Sequence, residues 1–317
     1  MNALADALRR ILGDQLLLEQ LRAGCREVAG ELDWSRQLDV QENLYGLVLN
    51  KARSAAASFY DQYPFDWVDY ADPEEVGVTL APLLRRLLDE SSPDDFILDV
   101  GCGPGRVTAY LSFRGRRCVG VDRSLQSVRT MVRACKRPGV VADNLHLPLK
   151  DGAADLVISD GVLHHTADGA QAFAENCRVL KEDGEMYLAV YRPGGRYEFL
   201  YRYPGRIVRR AVRHAPSRWL VHVTLLPIYY AVHLLKSRGR RTWRGARNLF
   251  YDYFVSPHVD FVSRETVEGW SRTCQVTIQT YDPKAGSNVH SFRIRKPPRQ
   301  EVADDPGAAR YVSSRSG

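Results

Sequence analysis

The chain has 317 residues, 44% hydrophobic and 26% charged, with 44 Lys and Arg against 38 Asp and Glu for a net charge of +6. That composition is ordinary for a folded globular protein and excludes a collagen, a disulfide scaffold and a disordered chain. The length suits two domains, or one large α/β domain with additions.

Residues 1 to about 58 read as helical, because Leu8, Ile11, Leu12, Leu16 and Leu18 recur near the helical period with charges between them. A turn-rich, aromatic stretch, FYDQYPFDWVDYADPEE, follows, and residues 80–90 form another amphipathic pattern before SSPDD breaks the chain. Strands and helices then alternate. FILDV (96–100) is a strand, a Gly-rich turn enters a helix at 106–113, and CVGV (118–121) is a second strand. A helix over 124–136, a strand at VVAD (140–143) and a fourth strand at DLVISD (155–160) come next. A helix around 168–180 precedes EMYLAVY (185–191). Such alternation predicts a parallel sheet with right-handed crossovers.

Residues 192 to about 262 interrupt this rhythm with a helical, basic and aromatic segment. A helix at 263–272 opens with Ser263 as cap and Glu265 in its first turn. QVTIQTYD (275–282) and NVHSFRIRK (288–296), joined by PKAGS, predict an antiparallel pair at a sheet edge. The expected fold is therefore a doubly wound, mostly parallel seven-stranded α/β sheet with N-terminal helices and a helical insertion after the fifth strand. The expected divisions are 1–90, an N-terminal helical region and substrate lid; 91–192, the core; 193–262, a basic insertion over the active site; 263–296, the last helix and edge strands; and 297–317, a polar disordered tail.

The cysteines Cys25, Cys102, Cys118, Cys135, Cys177 and Cys274 form no CxxC pair, which argues against a structural zinc site and a disulfide framework. The histidines are scattered apart from one adjacent pair, so no metal site is expected. The N-terminus has no basic start or unbroken apolar run, and no segment reaches the roughly 18–20 apolar residues of a membrane span. A reduced, cytoplasmic protein is expected, as a monomer or homodimer.

The motif richest in chemistry is ILDVGCGPGRVTAYL. A buried strand ends at Asp99 and Val100, glycines stand at 101, 103 and 105, and a helix follows. Glycines let the backbone approach a ligand, and a helix N-terminus offers free N–H groups. Open α/β sheets bind nucleotides at such a loop. The dinucleotide fingerprint would need glycine where Arg106 stands. Asp122 closes the second strand, 19 residues beyond Gly103, where an acid accepts ribose hydroxyls.

The form D-x-G-x-G-x-G, with Asp122, Asp143, the LPLKDGAADLV run, ISDGVLHHTAD and CRVLKEDGEMYLAVY following in order, resembles the class I S-adenosylmethionine-dependent methyltransferases over about residues 94–192. The core looks most like the broad group containing quinone-biosynthesis and natural-product methyltransferases. The resemblance implies that S-adenosylmethionine is held by Asp99, Gly101, Cys102, Gly103 and Gly105 of the loop, by Asp122 and Arg123, by Asp143 and Asn144, and by Asp160 and Gly161. The family's Pro-Gly-Gly turn is Glu182, Asp183 and Gly184 here, a surface departure.

Candidate acceptor chemistry is less sharply marked. His164 and His165 follow the fourth strand, where a histidine can deprotonate a hydroxyl, or where the pair is a framework feature. Asp252 lies after the insertion's basic stretch, and its neighbours Tyr251, Tyr253 and His258 are either substrate contacts or a packed loop. Tyr60, Tyr63 and Trp67 are either lid aromatics or local packing, and Tyr191 ends the fifth strand as a further substrate candidate.

From Arg196 to Arg247 there are thirteen Lys and Arg and one acid, Glu198, a net +12 that leaves −6 for the rest of the chain. An anionic substrate, RNA and a membrane surface each suit such a segment, as does a solvated cationic cap. The expected function is methyl transfer to oxygen or carbon of a small molecule, anionic or lipid-like. The alternatives are a wobble-uridine-type tRNA methyltransferase and a S-adenosylmethionine-binding protein without transferase activity.

Overall fold

The computed structural model describes residues 73–236, 242–283 and 288–298, together with Glu19 and Phe59. The described fold belongs to the unit Ala55–Gly317. It begins with helices α1 (Pro73–Thr79) and α2 (Pro82–Glu90), continues through β1 (Phe96–Val100), α3 (Arg106–Phe113), β2 (Arg117–Asp122), α4 (Leu125–Cys135), β3 (Gly139–Val141) and β4 (Ala154–Asp160), and turns through a 3₁₀ segment, Leu163–His165. Helix α5 (Gly169–Val179) and β5 (Leu180–Tyr191) follow. The insertion comprises α6 (Arg196–Arg202), α7 (Pro204–Ala211), α8 (Ala215–Val223), α9 (Leu225–Lys236) and α10 (Trp243–Val255). Helix α11 (Arg264–Thr273), β6 (Thr277–Asp282) and β7 (Val289–Arg295) complete the fold.

The seven strands lie in the order β3-β2-β1-β4-β5-β7-β6. Strands β1 to β5 pair in parallel, and β7 runs antiparallel to both β5 and β6. The order reverses between β1 and β4, so the loops after those strands face a shared crevice. Period-two alternation sends neighbouring residues to opposite faces. Leu98, Val100, Leu188 and Val190 join Phe173 of α5 and Val267 of α11 on one side. Ile97, Ile158, Tyr187 and Ala189 join Leu84 and Leu88 of α2 and Tyr110 of α3 on the other. Burial of a side chain such as Phe173 contributes roughly 1.5–3 kcal/mol.

Helix boundaries follow cap chemistry. The Ser124 hydroxyl accepts Ser127 N–H at 3.1 Å, and Asp168 Oδ1 accepts Gln171 N–H at 3.0 Å. The Ser263 hydroxyl accepts Thr266 N–H at 3.2 Å, which is the expected cap.

Four expectations change. Residues 73–90 pack on the sheet rather than forming part of a separate lid, because Val76 and four leucines of α2 enter the core. Asp143 lies beyond β3 rather than in it, in an isolated bridge with His146. Strand β5 starts at Leu180, five residues earlier than its apolar run. The apolar run WLVHVTLLPIYYAVHLL (219–235), whose sequence looks like a single interfacial helix, is two helices, divided at Thr224. Among the described residues no helix is long and apolar enough to cross a membrane. Tyr60, Tyr63, Trp67, most of residues 1–58 and the tail from 299 onward lie outside the described residues.

Candidate functional site

The carboxyl ends of β1, β2 and β4 surround a cleft of about 130 Å³ that opens to solvent. The glycine loop forms one wall. Gly101 N–H and Cys102 N–H both donate to Val121 O, at 2.7 and 3.0 Å, so the loop is bound to the end of β2. Gly101 has φ +72°, and a Cβ there would meet Val162 Cγ2 at 2.2 Å. Gly103 and Gly161 have φ +53° and +83°, and a Cβ on either would stand in open space at the cleft wall.

Asp122 ties the second wall to the first. Gly103 N–H donates to its Oδ2 at 2.9 Å, and Ser124 N–H to its Oδ1 at 2.8 Å. The Asp122 carboxylate therefore braces both the glycine loop and the turn into α4 at the cleft wall. Arg123 pairs with Asp143 at 3.1 Å, and Asp143 Oδ1 accepts Leu145 N–H at 3.1 Å. Asn144 lines the cleft almost fully buried, and neither its amide nitrogen nor its carbonyl oxygen has a partner. An unsatisfied buried amide costs roughly 1–3 kcal/mol, so this group is poised for a polar ligand.

His165 and Thr166 line the cleft beside Gly161 and Val162. His165 Nδ1–H donates to His258 O at 3.0 Å, which directs Nε2 away from that carbonyl. Nε2 stands 3.9 Å from Asp252 Oδ1, which α10 carries into the site. Burial pushes the His165 pKa down to about 4, so the ring is neutral near pH 7. His164 is also buried and held well below its usual range, by desolvation first and then by His165, His258 and His290. Its Nδ1 accepts Tyr191 N–H at 3.3 Å, and its ring lies 3.8 Å from that of Tyr191. Tyr197 and Phe261 pack against Tyr191 in turn.

The cleft therefore brings together Gly101, Gly103, Asp122, Arg123, Asp143, Asn144, Gly161 and His165 of the sequence candidates. Others are placed elsewhere. Asp99 lies beneath the loop, 2% exposed, where it accepts Thr108 N–H at 3.1 Å and the Thr108 hydroxyl at 2.7 Å. It anchors the start of α3 rather than lining the cleft, because its side chain falls on the α3 face of the sheet. Cys102 packs with Ala109, Met131 and Cys135 between α3 and α4. Gly105, at φ +101°, is a left-handed turn whose Cβ would strike Met131 Cγ at 2.6 Å. Asp160 pairs with Arg106, whose other nitrogen donates to Thr79 O at 2.9 Å.

Tyr251 is not at the cleft. It sits in the insertion's own core with Val208, Val221, Leu226 and Phe250, and its hydroxyl meets His222 Nε2 at 2.7 Å. Tyr191 and Asp252 stand behind the histidines, outside the cleft lining. Residues that sequence reasoning missed are Val100, Val121, Ser127, Ala142, Val162 and Thr166, all within a few positions of a motif but with no chemical signature of their own. A second hollow of about 380 Å³ opens at the opposite strand ends, but its Glu90 and Glu185 are already engaged by Arg293. Among the described residues no group of His, Cys, Asp and Glu could hold a metal.

Comparison with known proteins places these features in context. A family model described as "Methyltransferase domain" matches residues 98–188. The chain is 31% identical over 199 residues to an uncharacterized 37.1 kDa protein in transposon TN4556 of Streptomyces fradiae, covering 59% of this chain and 55% of that protein. It is 35% identical over 115 residues to the probable tRNA methyltransferase 9B of Homo sapiens, covering 35% and 24% of the two chains. It is 35% identical over 118 residues to the malonyl-[acyl-carrier protein] O-methyltransferase of Geobacter sulfurreducens, covering 35% and 44%. The chain thus spans about half of the Streptomyces relative and less of the other two.

Proposed function

We propose, on the premise that residues 98–188 belong to the class I S-adenosylmethionine-dependent methyltransferase family, that the protein transfers a methyl group to a small molecule. One observation carries the reading. The cleft lined by Asp122 and the unpartnered Asn144 amide is also lined by His165. A cofactor site and a candidate proton acceptor therefore share one cavity.

The residues fit the cofactor. Asp122 sets a carboxylate, an acceptor suited to ribose hydroxyls, in the cleft wall, and Asn144 offers a buried donor and acceptor to a base edge. Gly103 and Gly161 leave room where any side chain would intrude. When bound, S-adenosylmethionine supplies a methyl group on an activated sulfonium leaving group. The chain's own residues must then orient the acceptor and accept a proton where the nucleophile carries one. His165 is neutral, with Nδ1–H held by His258 O, so Nε2 is its accepting atom. A proton taken there faces Asp252, whose carboxylate stabilises the imidazolium. His164 supports this arrangement through Tyr191 rather than from the cleft.

The proposed acceptor is a small molecule methylated on oxygen or carbon, in a cytoplasmic setting, with an anionic or lipid-like acceptor favoured by the insertion's charge. A tRNA acceptor is the second reading. The +12 insertion and the likeness to a probable tRNA methyltransferase support it. Calorimetric titration with S-adenosylmethionine and S-adenosylhomocysteine tests the cofactor step. Binding that is lost in Asp122→Ala is expected. Absence of binding by the native chain overturns the proposal.

A further inference from the structure

Helices α7 to α9 present apolar side chains to solvent on a scale that the cleft does not explain. Ile207 is 72% exposed, Trp219 66%, Ile228 63% and Leu235 81%, and Leu225 and Val232 are exposed as well. Leu225, Ile228, Val232 and Leu235 fall within an arc of roughly 80° on α9. The other side of that helix sends Leu226 and Tyr229 into the insertion's core. A helix that is apolar all round belongs in an apolar medium, and contiguous exposed patches of this kind mark interaction sites. The same segment carries exposed cations. Arg206, Arg210, Arg213 and Arg218 are all exposed, and no Asp or Glu stands between Glu198 and Asp252.

The combination selects the occupant. A second copy of the chain would bring the same cationic patch against itself, at a cost in repulsion. A nucleic acid would answer the arginines but leave Leu, Ile and Val in water. An anionic lipid surface answers both, since apolar side chains enter the acyl boundary while arginines meet the headgroups. The division at Thr224 and the short helices suit a segment that lies on a bilayer and does not cross it. We infer that α7–α9 form an in-plane anchor that seats this protein on anionic membrane. Helix α10 joins the anchor to the site, because Phe250 closes the insertion's core two residues before Asp252 reaches His165.

Vesicle co-sedimentation of the full chain, without S-adenosylmethionine, tests this separately from methyl transfer. Vesicles of phosphatidylcholine with about one-third phosphatidylglycerol should carry the protein down, phosphatidylcholine alone should not, and salt should weaken the binding. The double variant Ile228→Asp, Leu235→Asp should lose about tenfold or more in vesicle affinity. Arg210→Glu with Arg213→Glu should lose a similar factor and flatten the salt dependence. The inference is overturned if the native chain ignores anionic vesicles or binds neutral ones equally. It is also overturned if both double variants bind as the native chain does, or if the native chain dimerises through this face or prefers tRNA to vesicles in competition. A lower melting temperature of the aspartate variant would likewise overturn it, by showing that the face is packed against the chain itself. Retention or loss of cofactor binding leaves these outcomes unchanged.

Discussion

Alanine at Gly101 and at Gly103 should separate stability from cofactor binding, although the two glycines are two residues apart in one loop. Both have left-handed φ values, +72° and +53°, which cost an L-residue roughly 1–2 kcal/mol. At Gly101 the new methyl would also stand 2.2 Å from Val162 Cγ2 and 2.6 Å from Cγ1. Overpacking of that kind adds about 1–3 kcal/mol, so Gly101→Ala should lose about 2–5 kcal/mol in total. At Gly103 no atom lies within 4 Å, so the stability loss should stay near the backbone term of about 1–2 kcal/mol. That methyl projects at the cleft wall, however, so S-adenosylmethionine affinity should fall about tenfold or more, equivalent to about 1.4 kcal/mol. Urea unfolding followed by circular dichroism reads the first quantity, and calorimetry reads the second. Equal stability losses for the two variants, or native affinity in Gly103→Ala, would refute the reasoning.

Three further outcomes are expected. Burial raises the Asp99 pKa to about 7 from an ordinary 3.8, so the stability it contributes is fully present below about pH 4 and is lost as pH rises through 7. Asp99→Asn, which keeps an acceptor for Thr108, should therefore gain on the native protein between pH 5 and 8 by a few kcal/mol at most, measured as melting temperature against pH. The His165 pKa is depressed to about 4, so its contribution is present above about 6.5 and is lost as pH falls toward 4; His165→Gln should show a shallower acid decline, read from the same melts. Asn144→Ala removes two unpartnered buried polar atoms, so folding stability should hold or rise while cofactor affinity drops by roughly 1–2 kcal/mol; an unfolding free energy that falls with unchanged affinity would contradict the assignment.

Much of the architecture was legible in local patterns. Apolar runs of strand length bounded by Gly, Pro and Asp located all seven strands, and the alternation with helices implied parallel pairing through β5. The glycine loop and Asp122 were legible because backbone conformation and a strand-end acid are short-range properties. The sequence by itself also determined that one segment carries the whole excess of positive charge.

Other features belong to the tertiary structure alone. Asp99 and Val100 are adjacent, yet pleat and register place Val100 at the cleft and Asp99 beneath α3. Tyr251 and Asp252 are adjacent on α10, yet helical rotation gives Tyr251 to the insertion's core and Asp252 to His165. Asn144 reads as an ordinary polar residue; only the packing of its surroundings leaves its amide buried and unpartnered in the cleft that Gly161 and His165 also line. The apolar run at 219–235 has the composition of a buried helix, and its partners decide which half is covered: Val221 and Leu226 are, while Trp219 and Ile228 stay in solvent. The period of a pattern is a property of neighbouring residues. The direction in which a side chain points, and what it meets there, depends on segments far away in the chain, and no local pattern encodes that.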